Sequence, residues 1–244
     1  MKRRSFIQAG LVLASTGTAA SIFKPAGAAE RVFKGGELWR AKATQPPTPA
    51  DPTKRHFFTE QEEALVKAIF DRLIPADELS IGASDAGCVV FIDNQLAGPY
   101  GEASWRYKGG PYEQGTESQG NQSPLTPREI YRKGLSEMDI HCTKAFGKSF
   151  VDLSDDDKDN YLEQMEASKY TYPGFTSSNA LFGQFLSNVM EGFLADPIYG
   201  GNRNMVGWKM IGFPGARYDY RDVAKLKGQK ISLEPISIIE HLKA

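Results

Sequence analysis

The sequence predicts a mainly α-helical protein, with a single domain of about five helices joined by long loops. Three segments begin with strong helix N-caps, at Thr59, Thr126 and Ser154. Apolar residues then recur every three or four positions, the period of an amphipathic helix. Strand and helix patterns do not alternate along the chain, so a doubly wound α/β fold is not expected. We expect a cleaved signal peptide and a proline-rich arm to precede the domain.

The first 28 residues have the pattern of a twin-arginine export signal. Arg3 and Arg4 are consecutive, and the apolar Phe6 follows closely. A signal of this kind is read by a receptor and is not a membrane anchor. It predicts a periplasmic protein that engages the twin-arginine translocase and crosses the membrane already folded.

The expected end of the signal lies at Ala26 and Ala28, small residues of the type that signal peptidase accepts. We therefore expect cleavage after Ala28. The apolar run before it, residues 9–23, is diluted by Gly, Ser and Thr and is shorter than the roughly 20 residues that span a bilayer. An uncleaved N-terminal anchor is the alternative.

Charge argues against a nucleic-acid partner. Residues 1–28 carry four basic residues and no acid, which leaves 25 basic and 30 acidic residues in the remainder. The expected mature chain therefore has a net charge of −5, whereas nucleic-acid binding relies on clustered Lys and Arg.

Residues 29–55 follow the signal and include a run of prolines, which predicts an extended arm that either wraps a partner or is loose.

The helical domain is expected to span residues 56–244. Its first helix follows a capping box formed by Thr59 and Glu62, and it ends at Pro75. A second helix is predicted from Ser84 to about Leu96.

The third helix has Thr126 as its N-cap, Pro127 in its first turn and Glu129 three residues after the cap. The fourth begins at Ser154. The predicted apolar faces of these two helices are Tyr131, Leu135, Met138, Cys142 and Ala145, and then Tyr161, Leu162 and Met165.

The fifth helix has the broadest apolar arc, so we expect it to be central and the most buried. The apolar residues of the fifth helix are Leu181, Phe182, Phe185, Leu186, Val189, Met190, Phe193 and Leu194.

The apolar pattern at residues 231–236 predicts one short extended segment.

Catalytic and cofactor motifs are hard to find in this sequence. The glycines at 200–201 lack the spacing of a dinucleotide fingerprint, and no Walker A or GxSxG motif occurs. His141 adjoins Cys142, but neighbours on a helix point about 100° apart, which favours a core cysteine over a nucleophile. We expect no catalytic residue and no cofactor-binding residue in this chain.

One acidic run has the spacing of a calcium loop. Asp155, Asp157, Asp159 and Glu166 occupy four of its ligand positions, but Asn160 stands where that loop needs glycine. Acidic residues after a serine N-cap are better explained as a helix N-terminus, where carboxylates meet the positive end of the dipole. We expect no metal site.

Two blocks of sequence resemble the gluconate 2-dehydrogenase subunit 3 family. The first is residues 57–93, with Arg-Leu-Ile-Pro at 72–75, an acidic pair at 77–78 and Gly-Ala at 82–83. The second is Asp-Pro-Ile-Tyr-Gly-Gly-Asn at 196–202, followed by Gly-Trp at 207–208.

The resemblance implies a function. Members of this family are small, or gamma, subunits of membrane-associated flavin-dependent sugar dehydrogenases. It implies a large FAD-containing partner of the glucose–methanol–choline family, which often carries an iron–sulfur cluster, and a multihaem cytochrome c partner with haem c. The small subunit supplies the export signal and supports maturation of the flavoprotein. The alternatives are an independent periplasmic enzyme with a site at residues 196–215 and a scaffolding or binding protein.

The second block is the candidate functional site. It is expected to be a helix-ending turn in which Asp196 accepts backbone N–H groups and positive φ angles let another backbone come close. It is either purely structural, or it also presents Tyr199 or Trp208 to the flavoprotein, or it is a cofactor or substrate loop. The residues expected to take part are Asp196, Pro197, Tyr199, Gly200, Gly201, Asn202 and Trp208.

Cys88 and Cys142 are the disulfide candidates. An oxidising periplasm permits a disulfide bond. The two cysteines could bond to each other, or one of them, with a preference for Cys142, could bond to the large subunit that the resemblance implies. Spacing alone leaves both possibilities open.

Overall fold

The computed structural model describes residues 48–104, 116, 123–175, 177–217, 219–221 and 223–241, which all belong to one compact unit. The expected export signal, with Arg3, Arg4, Phe6, Ala26 and Ala28, lies outside the described residues.

The described part of the chain is mainly helical, as the sequence predicts. It contains five helices of ten or more residues: α1 (Glu60–Leu73), α2 (Cys88–Ala97), α3 (Pro127–Phe146), α4 (Asp155–Glu166) and α5 (Ser178–Leu194). Two shorter helices follow, α6 (Val206–Ile211) and α7 (Ile238–His241). Short 3-10 turns lie at Phe150–Asp152, Pro197–Tyr199, Arg203–Met205 and Ala224–Leu226.

The described residues contain no β-strand. The extended segment predicted at 231–236 contributes only an isolated bridge between Gly215 and Ile236. None of the described helices combines the length and the apolar character needed to cross a bilayer.

The predicted helix caps are present. The Thr59 side chain accepts a hydrogen bond from the N–H of Glu62, whose carboxylate accepts from the N–H of Thr59 at 2.8 Å. Thr126 and Glu129 repeat this capping box at α3. Each box satisfies two N–H groups that the first helical turn leaves without partners.

The start of α2 differs from the prediction. The helix begins at Cys88 and not at Ser84, because Gly87 has a φ of 86° and a left-handed residue cannot lie inside a right-handed helix. Residues 83–87 form turns instead, and the N–H of Ser84 donates to the Asp71 carboxylate at 2.8 Å.

Helix α5 is central, as predicted, and packs against α1, α2, α4 and α6. Its apolar arc is broader than its neighbours cover, so Met190 and Leu194 are exposed. Ala145 of α3 was expected in the core but is also exposed, within a run of exposed residues, 143–148, at the C-terminal end of the helix. The buried apolar residues of α5 are Leu181, Phe182, Phe185, Val189 and Phe193.

The described end of the proline-rich arm is attached to the domain. The N–H of Ala50 donates to the carbonyl oxygen of Ile198 at 2.9 Å. A few residues later, the buried Asp93 carboxylate of α2 accepts from three successive N–H groups, those of residues 56–58, at 2.6 to 3.0 Å. These contacts fix the path of the chain into α1.

Candidate functional site

Asp196 anchors the turn that follows α5. Its carboxylate accepts from the N–H of Ile198 at 3.0 Å, which is the turn cap expected from the sequence. The same carboxylate also accepts from the Ser237 hydroxyl at 2.8 Å and from the N–H of Ile238 at 2.9 Å. Asp196 therefore joins the turn to the C-terminal segment, a contact that the local sequence does not indicate.

Glycines let the turn approach the core closely. A Cβ added to Gly87 would overlap the carbonyl oxygen of Gly200, and one added to Gly201 would overlap that of Gly192. Gly200 has a φ of 97°, a left-handed value that glycine adopts without strain. Within this chain, the backbone that comes close to the turn is that of the start of α2 and the end of α5.

Asn202 joins the two ends of the turn. It lies in the left-handed region, with a φ of 46°, and its side chain is fully buried. The amide donates to the carbonyl oxygen of Ala195 at 2.9 Å and accepts from the N–H of Gly207 at 2.8 Å. Pro197 begins the 3-10 turn between these contacts, where its missing N–H costs nothing.

Trp208 is part of the core and is not presented at the surface. It is only 5% exposed, and its indole N–H donates to the carbonyl oxygen of Leu194 at 2.7 Å. Its ring packs edge-on against Phe213, with 5.2 Å between ring centroids. Of Tyr199 and Trp208, the two aromatic residues considered for presentation to a partner, only Tyr199 is exposed, at 42%.

A second exposed group lies beside this turn and was missed by the sequence reasoning. Met210, Ile211 and Phe213 are all exposed. Helix α6 has six residues, and Met210, two positions after the inward-facing Trp208, points about 160° away from it around the helix axis. Ile211 is the last residue of the helix. The sequence does contain an indication of this group, because Trp208, Met210, Ile211 and Phe213 are too closely spaced for so short a helix to bury them all.

The two cysteines are free thiols in the structure, and both are fully buried. Cys88 begins α2 and packs against Gly192, whereas Cys142 lies on α3 beside Tyr161. Burial raises the pKa of each thiol from 9.0 to about 12. The structure therefore has no bond between them, and it exposes neither sulfur to a partner chain.

A buried polar cluster surrounds Cys142. The Tyr161 hydroxyl lies 3.0 Å from Nδ1 of His141 and 2.8 Å from the Tyr172 hydroxyl. Tyr170 packs on the imidazole, with 4.3 Å between ring centroids. Burial lowers the pKa of His141, which favours the neutral imidazole. Tyr170 and Tyr172 lie in the connection between α4 and α5, where no periodic pattern points to them.

The acidic run forms the start of α4, as the helix reading predicts, and not a calcium loop. Asp155 and Asp159 both pair with Arg72 of α1, at 2.8 Å and 2.5 Å. Among the described residues, no group of three or more His, Cys, Asp or Glu side chains is arranged to hold a metal ion.

Comparison with known proteins places this fold in a family. The family described as gluconate 2-dehydrogenase subunit 3 matches residues 60–215, more than half of the chain. The matched range begins with α1 and ends at Gly215, so it contains the five long helices and the turn after α5. Searches of curated proteins and of solved structures found no match. The chain belongs to the gluconate 2-dehydrogenase subunit 3 family.

Proposed function

We propose that this chain is the non-catalytic small subunit of a periplasmic FAD-dependent sugar or polyol dehydrogenase of the gluconate, glucose or fructose type. It brings the large flavoprotein subunit through the twin-arginine route and supports its maturation. FAD, with or without an iron–sulfur cluster, belongs to that large subunit, and haem c belongs to a cytochrome subunit. The family match over residues 60–215 carries this proposal.

The chemistry of the described side chains supports a non-catalytic role. Both thiols are buried and have a pKa of about 12, so they are protonated near neutral pH. His141 is held by Tyr161 and covered by Tyr170. The His141 contacts join α3 to α4, and the buried thiols are poorly placed to reach a substrate.

The geometry of the turn supports docking over a cofactor or substrate loop. The side chains of Asp196 and Asn202 are buried, and both form hydrogen bonds with the backbone of this chain. Neither is free to meet a ligand. Tyr199 projects from this fixed backbone, and a tyrosine on a rigid support is a common interface anchor because it buries a large area at little entropic cost. We therefore assign Tyr199 to the contact with the flavoprotein.

Co-expression with the large subunit tests the export role. Arg3→Lys with Arg4→Lys should leave both subunits in the cytoplasm, and dye-linked aldose oxidation should disappear from the periplasmic fraction. Lys2→Arg is the matched control, because it keeps the charge and spares the arginine pair, and it should export normally. Normal export of the flavoprotein with the double variant would refute this role.

Expression of the chain alone tests the catalytic role. The isolated small subunit should oxidise no aldose and should show neither a flavin nor a Soret absorption band. Dye-linked oxidation by the isolated chain would favour the rival, an independent enzyme with its site at residues 196–215.

A further inference from the structure

The segment after the candidate site differs in charge from the rest of the chain. Residues 203–230 hold seven Lys and Arg and two Asp, a net charge of +5. The whole chain has a net charge of −1, so all other residues together carry −6. A basic segment on an acidic protein is a local electrostatic feature that selects anionic partners.

Exposed apolar side chains accompany these charges. Met210, Ile211 and Phe213 are 46%, 57% and 44% exposed. Phe213 is held there by Trp208, whose carbonyl oxygen accepts from the N–H of Phe213 at 2.8 Å and whose ring packs edge-on against the Phe213 ring. Phe213 is therefore fixed in an outward position, next to Met210 and Ile211 at the end of α6.

Five of the seven basic residues lie on a loop that starts and ends next to this apolar group. Arg217 donates to the carbonyl oxygen of Glu234 at 2.6 Å, and Gly215 pairs with Ile236. Phe213 is two residues before this closure. Lys225, Lys227 and Lys230 lie on the closed loop, are all exposed, and form no ion pair with another described residue.

We propose that this surface, formed by Met210, Ile211, Phe213, Lys225, Lys227 and Lys230, binds the anionic face of a lipid bilayer. The apolar side chains enter the boundary between headgroups and acyl chains, and the lysine ammonium groups meet lipid phosphates. Apolar and basic residues on one surface are the combination that interfacial membrane binding uses. This contact is direct and does not depend on the proposed function or on a partner subunit.

The type of cation favours a bilayer over an acidic protein. Lys225, Lys227 and Lys230 form no ion pair with a described residue, whereas the Arg217 guanidinium donates to the carbonyl oxygen of Glu234 and Arg221 pairs with Asp219. Lysine is depleted at protein–protein interfaces, where the charged residue that is enriched is arginine. At an anionic membrane, lysine and arginine contribute about equally, because the attraction is long-ranged and needs no fixed geometry.

Vesicle binding of the full chain tests the proposal. The chain should co-sediment with phosphatidylcholine vesicles that contain phosphatidylglycerol and not with phosphatidylcholine alone, and added salt should release it. Replacing Lys225, Lys227 and Lys230 with Gln should reduce partitioning at least about tenfold, since each lysine near an anionic surface contributes about fivefold. Met210→Ser with Ile211→Ser should also weaken binding.

Matched controls separate this surface from general effects. Lys67, Lys148 and Lys169 are exposed elsewhere, and their replacement with Gln removes the same charge. Leu79→Ser with Ile140→Ser removes two other exposed apolar residues. Both controls should bind like the unchanged chain, and circular dichroism should show that every variant is folded.

Three results would overturn the proposal. The first is equal binding to neutral and anionic vesicles. The second is equal binding by the surface variants and the controls, which would assign the binding to another part of the chain. The third is no vesicle binding together with loss of the flavoprotein subunit from the surface variants, which would make this a protein interface.

Discussion

The indole N–H of Trp208 donates to the carbonyl oxygen of Leu194, 2.7 Å away, at the C-terminal end of α5. The last carbonyl groups of a helix have no partner within the helix. Trp208 satisfies one of them from a position 14 residues later in the chain. The turn between these two residues is therefore closed at its ends and projects Tyr199 from a fixed base.

The first prediction concerns this hydrogen bond. Trp208→Phe keeps an aromatic ring but leaves the Leu194 carbonyl without its donor, so the free energy of unfolding should fall by about 1–3 kcal/mol. Trp208→Ala removes the ring as well and should cost about 3–5 kcal/mol. Urea denaturation followed by circular dichroism measures both. A Trp208→Ala protein as stable as the unchanged chain would show that the side chain is not part of the core.

The second prediction concerns Asp196. Asp196→Ala removes the acceptor for Ile198, Ser237 and Ile238, which releases the C-terminal segment from the turn. Limited proteolysis should then cut residues 217–234 faster, while α1 to α5 stay protected. Asp219→Ala is the control, because among the described residues its carboxylate pairs only with neighbouring Arg221. Equal cleavage rates in the two variants would rule out the anchoring role.

The third prediction compares two glycines. Gly87→Ala places a methyl group against the Gly200 carbonyl oxygen at a φ of 86° and should destabilise the fold strongly. Gly183 of α5 has open space around it, so Gly183→Ala should stabilise the protein by up to about 1 kcal/mol. Thermal unfolding of both variants gives the comparison. Similar melting temperatures would contradict the close approach of the turn to α2.

The fourth prediction concerns pH. The pKa of the Cys88 thiol is about 12 when folded and 9.0 when unfolded. Because the pKa of this thiol is higher in the folded state, its contribution to the free energy of unfolding is complete below pH 9.0 and is lost as the pH rises towards 12. The stability difference between the unchanged chain and Cys88→Ala should therefore fall by about 1.4 kcal/mol per pH unit in that window.

Denaturant titrations of both proteins from about pH 8 to about pH 11 measure this slope. Subtracting one free energy of unfolding from the other removes the contribution of all other titrating groups, which the two proteins share. A thiol reagent gives an independent check: both cysteines should react only after unfolding. Rapid reaction of the native protein, or a difference independent of pH, would place Cys88 in a solvated environment.

The sequence predicted the long helices well because the signals that set them are local. Thr59 with Glu62 and Thr126 with Glu129 are capping partners three residues apart, and both pairs form as expected. The start of α2 was missed because it depends on a left-handed Gly87, whose conformation follows from the approach of Gly200. That approach joins residues more than a hundred positions apart.

The candidate site was predicted only in part for the same reason. The Asp196 cap is local and follows from the Asp-Pro sequence. The burial of Trp208 depends on a carbonyl group of α5, and the sequence alone does not show whether a tryptophan after a turn faces inwards. The exposed Met210 and Ile211 also depend on that orientation.

The central claim is that the fixed turn presents Tyr199 to the flavoprotein subunit. The most direct test is the affinity of purified small subunit for that partner, compared between Tyr199→Ala and Tyr220→Ala, which removes another exposed tyrosine. An anchor of this type contributes about 2 kcal/mol, so Tyr199→Ala should weaken binding about thirtyfold and Tyr220→Ala should not change it. Unchanged binding by a folded Tyr199→Ala protein would contradict the claim.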